Sequence, residues 1–300
     1  MRVKFAALTI VAVMAFALTF PAARTSAVAP PAKQANEQIS ALMAQINDQL
    51  ASAGAHYRVD YAEYLTGGDE AGQTVFFNNR GNKQLTAHFV PGDPRRGGRT
   101  DITYLVDQTE GAVDGLTTAQ TTAAIDRAMA TWQGVNCSTL PITKLPNVPG
   151  DLGVVEFQNG LGGSPFFFAD LTHAGWLPPG ILAPNVIAVT FTFVFINPDL
   201  SPTDIDNNGL SDVAFREILY NDAFVWAING NIDVETVALH EGGHGISQGH
   251  FGAAFISNSN GKLHFSPRAV MNAAYSGVQQ SPAGTDKGGH CSIWGSWPNN

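Results

Sequence analysis

Charged side chains are scarce in this sequence, and basic ones are the scarcer kind. Charged residues make up 14% of the 300 residues, with 16 Lys and Arg against 25 Asp and Glu and a formal net charge of -9. This balance argues against nucleic acid or an anionic membrane surface as a partner. Hydrophobic residues reach 44%, so the chain can bury a sizeable core and does not have the composition of a disordered protein.

Long apolar runs are scarce too, and the only one lies at the N-terminus. Arg2 and Lys4 precede an uncharged apolar stretch, Phe5 to Phe20, and the small residues Thr25-Ser26-Ala27 follow it. This order is typical of a secretory signal peptide over residues 1–27, so we expect a secreted, extracellular protein with no stable membrane insertion after its removal. A membrane anchor is the alternative, but the run is short for a span.

Cysteine is limited to Cys137 and Cys291. Export permits a disulfide, and exported chains seldom keep two unused thiols, so we predict that the two cysteines are bridged. Two free buried thiols are the alternative.

Proline, glycine and arginine interrupt the chain at residues 91–98. We predict a domain boundary there, with an α+β segment at 28–98, a candidate propeptide, and a second domain at 99–300. The paired Arg95 and Arg96 within the break form a candidate processing site.

Hydrophobic periodicity predicts an alternation of helices and strands and hence an α+β fold. The predicted helices cover about Gln34–Ala53, Thr118–Trp132 and a stretch that begins at Asp233. The predicted strands are a first strand around Tyr57–Tyr61, followed by Thr74–Phe77, Leu85–Val90, Ile102–Val106, Val154–Phe157, Asn185–Asn197 and Ile218–Asn221. In the strand at Asn185–Asn197, apolar residues alternate with Thr190 and Thr192, which indicates a half-exposed strand.

The main chemical feature is the run from His240 to His250, which reads HEGGHGISQGH. Two histidines four residues apart lie on one face of a helix, so both imidazoles can bind one ion, and the third histidine completes a three-ligand set. Zinc is the metal that such a set favours, and Glu241 then acts as the general base. Glycines at 242, 243 and 245 each cost a helix about 1 kcal/mol relative to alanine, so metal ligation and burial must hold this segment helical.

This motif resembles that of the metzincin clan of zinc endopeptidases, and within it the matrixin-like family. The family pattern HExxHxxGxxH is followed by a Met-turn, to which Ala269-Val270-Met271-Asn272 and the downstream Tyr275 are similar. The resemblance implies that Met271 lies beneath the zinc, that the Tyr275 segment forms a wall of the specificity pocket, and that Asp286 in a closing helix braces the turn. It also implies a twisted mixed sheet, two long helices and a small C-terminal subdomain.

The chain departs from the family at several positions. Ser247 stands where the family usually has glycine, which is costly if φ is positive there. No cysteine precedes Cys137, so the thiolate latch of matrixin propeptides is impossible.

A candidate calcium loop lies upstream of the zinc motif. Its oxygen ligands would be Asp204, Asp206, Asn208 and Asp212, with Gly209 at the sixth position of an EF-hand-like loop. The usual glutamate at the twelfth position is absent, and a turn-rich surface loop is the alternative.

These features together predict a secreted, monomeric zinc endopeptidase that acts on a protein or peptide substrate. An exposed edge of the strand at Asn185–Asn197 would let an extended substrate bind by strand addition. The alternatives are a non-catalytic, zinc-stabilised binding or adhesion protein and a zinc hydrolase that acts on another amide.

Overall fold

The structure is a computed structural model that describes residues 31–68, 70–78 and 85–299. The signal peptide predicted over residues 1–27 lies outside this range. Within it, the helices are α1 (Pro31–Ser52), α2 (Thr118–Gln133), α3 (Val154–Gln158), α4 (Val234–Gly245) and α5 (Gly284–Trp294). The strands are β1 (Tyr57–Thr66), β2 (Thr74–Phe76), β3 (Ala87–His88), β4 (Ile102–Val106), β5 (Ile142–Lys144), β6 (Leu171–Leu177), β7 (Val186–Phe195), β8 (Ser211–Asn221), β9 (Trp226–Ala227), β10 (Ile232–Asp233), β11 (Ala253–Ile256) and β12 (Leu263–Ser266).

A mixed sheet forms the centre of the fold and confirms the α+β class. Its strand order is β2-β1-β7-β8-β6-β4-β5, and β3 also pairs with β8. The strands from β8 to β5 run parallel to their neighbours, whereas β7 is antiparallel to both β8 and β1. Two short pairs, β9 with β10 and β11 with β12, lie outside this sheet.

The sheet is covered by helices on both faces. On one face, α2 and α4 bury Met129, Trp132 and Leu239 against the strands. On the other face, Ile39 and Met43 of α1 pack against the apolar residues of β7 and β8. The periodicity predictions for α1, β4 and α2 are confirmed. Among the described helices, none is long and apolar enough to cross a membrane.

Strand β7 differs from its prediction. Every residue of β7 is buried, and the strand pairs with β1 on one side and β8 on the other. The predicted half-exposed face and the predicted free edge for a substrate are therefore wrong. Sequence alternation did not reveal that α4 covers the face with Thr190 or that β1 pairs along the edge of β7.

Residues 154–157 were predicted as a strand and form the helix α3 instead. The Glu217 carboxylate accepts hydrogen bonds from the backbone N–H groups of Val154 and Val155, which caps the helix from a distant strand. Glu156 of α3 is buried, and burial together with Glu110 raises its pKa to about 10. A tertiary contact has thus overridden the strand propensity of the valines.

The segment before residue 98 shares the central sheet with the strands that follow it, because β1 pairs with β7. Arg95 makes an ion pair with Asp212 at 2.7 Å, and the buried Arg96 pairs with Asp170 at 2.7 Å. These ion pairs fix the side chains of both arginines against the folded protein. Cleavage near residues 91–98 stays a prediction.

Candidate metal centre

Helix α4 carries the first two histidines into the core. Asp233 caps the helix by accepting hydrogen bonds from Thr236 N at 2.9 Å and Thr236 Oγ1 at 2.6 Å. Trp132 of α2 donates its indole N–H to the Leu239 carbonyl at 2.7 Å. The whole of α4 is buried, so tertiary packing stabilises this glycine-rich helix.

The structure brings His240, His244 and His250 together. His244 Nε2 lies 3.0 Å from His240 Nε2 and 3.2 Å from His250 Nε2. The Nδ1 atom of His240 lies 2.7 Å from the Val270 carbonyl, and that of His244 lies 2.7 Å from the Gln248 carbonyl. A proton on Nδ1 of His240 and of His244 donates to these carbonyls and leaves Nε2 of both rings as an acceptor, and the candidate ligand atoms of all three histidines lie within 4.8 Å of one another.

Convergence of three imidazole acceptors is unfavourable unless a cation lies between them. Burial, with His244 as a further cause, lowers the pKa of His240 and His250 well below the usual value. These two imidazoles are therefore neutral, which is the form that binds a metal. Burial also acts to lower the pKa of His244, but Glu63 and its other partners leave that pKa above the usual value.

Ser247 makes the turn that brings His250 back to the helix. Its φ is +69°, in the left-handed region that glycine adopts more readily than other residues. The buried hydroxyl lies 3.0 Å from His88 Nδ1 and accepts a hydrogen bond from Arg216 Nη1 at 2.9 Å. Arg216 Nη1 also donates to the Gly245 carbonyl at 2.8 Å, so this network offsets the backbone cost of a serine.

Glu241 lies between the two helical histidines in sequence and is fully buried. Thr190 of β7 donates its hydroxyl to Glu241 Oε2 at 2.6 Å, whereas Glu241 Oε1 is buried without a hydrogen-bond partner. Burial raises the pKa of Glu241 to about 7, against the lowering effects of His244 and Thr190. Thr190, predicted to face solvent, orients this carboxylate instead.

Sequence reasoning missed Glu63. This β1 residue has its Oε2 3.2 Å from His244 Nδ1 and is the cross-strand partner of Thr190. A carboxylate beside a metal-binding histidine orients the ring and increases its basicity. The available signal was the acidic residue on the same strand face as Tyr61 and Leu65, both of which enter the core.

The turn after the hairpin β11–β12 lies next to α4. The side chain of Met271 is buried, and a Cβ on Gly243 would clash with Met271 Sδ. Asp286 of α5 accepts hydrogen bonds from Val270 N at 2.9 Å and Met271 N at 3.1 Å. Tyr275 donates its backbone N–H to the Thr66 carbonyl at 2.8 Å.

Cys137 and Cys291 form a disulfide that joins the end of α2 to α5. The predicted bridge is therefore confirmed.

The candidate calcium loop also forms a cluster. Carboxylate oxygens of Asp204, Asp206 and Asp212 lie within 4.8 Å of one another. The Asn208 side chain donates to Asp206 Oδ2 at 3.0 Å. Asp212 already accepts hydrogen bonds from Arg95 and Thr203, and calcium at this loop stays a prediction.

No model of a known protein family matches this chain, and no curated protein sequence matches it. The choice of a function therefore depends on the geometry around the three histidines and Glu241.

Proposed function

We propose that this protein is a secreted zinc-dependent endopeptidase in which His240, His244 and His250 bind the metal and Glu241 is the general base. One observation carries the proposal: the buried His244 has its Nε2 atom 3.0 Å from that of the buried His240 and 3.2 Å from that of the half-buried His250. Nearby, Glu241 holds one carboxylate oxygen buried without a partner. A buried carboxylate oxygen without a hydrogen-bond partner, next to a site that can hold a cation, can accept a proton from water and so fits hydrolytic chemistry.

The donor set fits zinc, which accepts neutral imidazole nitrogens and takes three protein ligands in catalytic sites. When bound, zinc would supply Lewis acidity toward a water molecule and the substrate carbonyl. Thr190 fixes Oε2 of Glu241, so Oε1 accepts the proton of the attacking water. Glu241 then returns that proton to the amide nitrogen as the C–N bond breaks, leaving a carboxylic acid and an amine.

Several structural features support the resemblance to the matrixin-like family. The turn at Met271 lies against the histidine helix, Asp286 braces this turn, and the Tyr275 segment pairs with a strand beside the site. The disulfide supports an oxidising compartment and hence secretion. The substrate is a protein or peptide, and the protein acts as a monomer.

A second function is favoured by one observation, the burial of the site. His240 is 2% exposed, and His244 and Glu241 expose no surface. A metal so enclosed would suit a zinc-stabilised binding protein. Against this alternative, the described part of the chain places no fourth Cys, His, Asp or Glu ligand with the three histidines, whereas a structural zinc site is usually closed by four.

The test combines metal analysis and a peptide digest of the secreted protein. We expect one zinc per chain, cleavage within a peptide library, loss of cleavage with 1,10-phenanthroline and recovery when zinc is added. His250→Ala should lose most of its metal, whereas His264→Ala, which changes an exposed histidine in β12, should keep it. Full zinc occupancy in His250→Ala would contradict the ligand assignment, and a zinc-loaded protein that cleaves no peptide would favour the binding protein.

A further inference from the structure

Strand β1 lies in a groove beside the candidate metal centre. Along one side it pairs with β7, where Glu63 is opposite Thr190 and Leu65 is opposite Ala188. At its end, Thr66 forms a parallel bridge with Ala274. The chain just after β1 continues this contact, since Gly72 N donates to the Ala273 carbonyl at 2.6 Å. The strand thus fills the space between β7 and residues 273–275.

The side chains of β1 close the site from this groove. Glu63 lies 3.2 Å from His244 Nδ1. Leu65, together with His240 and Val270, lines a remaining cavity of about 20 Å³, which is too small for a substrate side chain. His244 and Glu241 expose no surface, and β1 contributes to this burial through the contact of Glu63 with His244.

A peptide substrate must reach Glu241 as an extended chain, and extended chains bind most readily by adding a strand to a sheet edge. The strand nearest to Glu241 is β7, since Thr190 holds its carboxylate. The edge of β7 that faces the groove is already paired with β1. While β1 is in place, a peptide therefore cannot pair with this edge of β7.

We propose that β1 is a resident strand that occupies the substrate groove, with Leu65 in the place of a substrate side chain. β1 must separate from β7 before a peptide is cleaved. This inference rests on the proposed function, because the groove binds a peptide only if the protein is a peptidase.

Local features of β1 are suited to separation. Its pairing with β7 is irregular between Val59 and Tyr61 and again between Leu65 and Thr66, at the residue that lines the cavity. On its other side, β1 pairs only with the three-residue strand β2 in the described part of the sheet. Two glycines, Gly67 and Gly68, follow the strand directly and allow a hinge there.

An engineered disulfide between β1 and β7, called the lock below, tests the proposal in the full chain because it can be formed and reduced. Tyr64 and Val189 are opposite each other in β1 and β7, and both belong to the core on the α1 side, away from the histidines. The double variant Tyr64→Cys with Val189→Cys should form a disulfide that holds β1 in the groove. Tyr64→Ser with Val189→Ser is the matched control, because it removes similar volume without a bond. The parent protein is treated with the same reductant to account for its native disulfide.

The main readout is the rate at which acetohydroxamate, a metal ligand, changes the visible spectrum of the cobalt(II)-loaded protein. Peptide hydrolysis is the second readout. In the oxidised lock we expect both to fall at least about tenfold below the serine control and to recover on reduction. Leu65→Ala should accelerate hydroxamate binding, since loss of buried methyl groups weakens the closed state, by roughly tenfold or more.

The outcomes separate this proposal from the proposed function. Equal rates in the oxidised lock and the serine control would overturn the proposal, as would an unchanged rate in Leu65→Ala if the double variants fail to fold. The hydroxamate-binding rates of the variants could also follow the predicted order in a protein that cleaves no peptide. This result would refute the proposed peptidase function but would still support the placement of β1 in the groove. A protein that takes up no metal would overturn both.

Discussion

Replacing Gly243 by alanine tests how closely α4 is held against the turn that contains Met271. Gly243 precedes His244 in the middle of the run from His240 to His250. An alanine Cβ there would clash with Met271 Sδ and lie 3.1 Å from Trp132 Cζ2. Neither neighbour can move freely, because Trp132 is hydrogen-bonded to Leu239 and the backbone at Met271 is held by Asp286.

Two opposing effects set the size of the change. Alanine favours a helix over glycine by about 1 kcal/mol. Overpacking a dense core costs about 1–3 kcal/mol. Gly288→Ala in α5 is the matched control, because a Cβ at this exposed position meets nothing within 4 Å, so it should stabilise the protein by up to about 1 kcal/mol.

We therefore expect Gly243→Ala to be less stable than Gly288→Ala by about 1–3 kcal/mol. Urea unfolding of the two variants and the parent measures this difference directly. Zinc analysis should also show weaker metal binding in Gly243→Ala, since the displaced helix carries His240 and His244. Equal stabilisation by the two alanines would refute the packing argument.

Three further predictions concern regions away from α4. Glu156→Gln should remove much of the fall in melting temperature between about pH 5 and pH 9. The folded chain keeps a proton on Glu156, because its pKa is raised from 4.5 to about 10. The unfolded chain releases this proton. The free energy of unfolding therefore falls as the pH rises through this window, by at most about 1.4 kcal/mol per pH unit. A parallel pH profile in the variant would contradict this. Reduction of the bridge between Cys137 and Cys291, which are 154 residues apart, should cost about 4–5 kcal/mol of stability by loop entropy; two alkylatable thiols in the native protein would contradict the bridge. Calcium should raise the melting temperature, and Asp204→Ala with Asp206→Ala should abolish the response; an unchanged response would place the ion elsewhere.

Local sequence patterns were sufficient for the elements that bury one regular face. The apolar spacing in α1 and α2 predicted both helices to within a few residues. Patterns failed where a distant residue decided the structure. The valines of α3 favour a strand by propensity, yet the Glu217 carboxylate caps them as a helix. The alternation in β7 indicated one open face at Thr190 and Thr192, but α4 covers that face, where Thr190 is hydrogen-bonded to Glu241.

The candidate site also has one part that local sequence patterns predict and another that distant contacts determine. The spacing of His240 and His244 follows from helical geometry, so the sequence was enough to predict that they meet. His250 depends on the turn at Ser247, whose positive φ is supported by Arg216 from β8. Glu63 reaches His244 from a strand far away in sequence. Contacts of this kind depend on strand order, which local periodicity does not encode.

The most direct test of the central claim is the rate of peptide cleavage by Glu241→Gln, measured with its zinc content. Glutamine matches the size of Glu241 and can still accept the hydrogen bond from Thr190, but it cannot take a proton from water. We predict unchanged zinc and a fall in kcat of about 10²–10⁴-fold. A variant that retains its zinc and cleaves a susceptible peptide as fast as the parent would contradict the assignment of Glu241 as the general base.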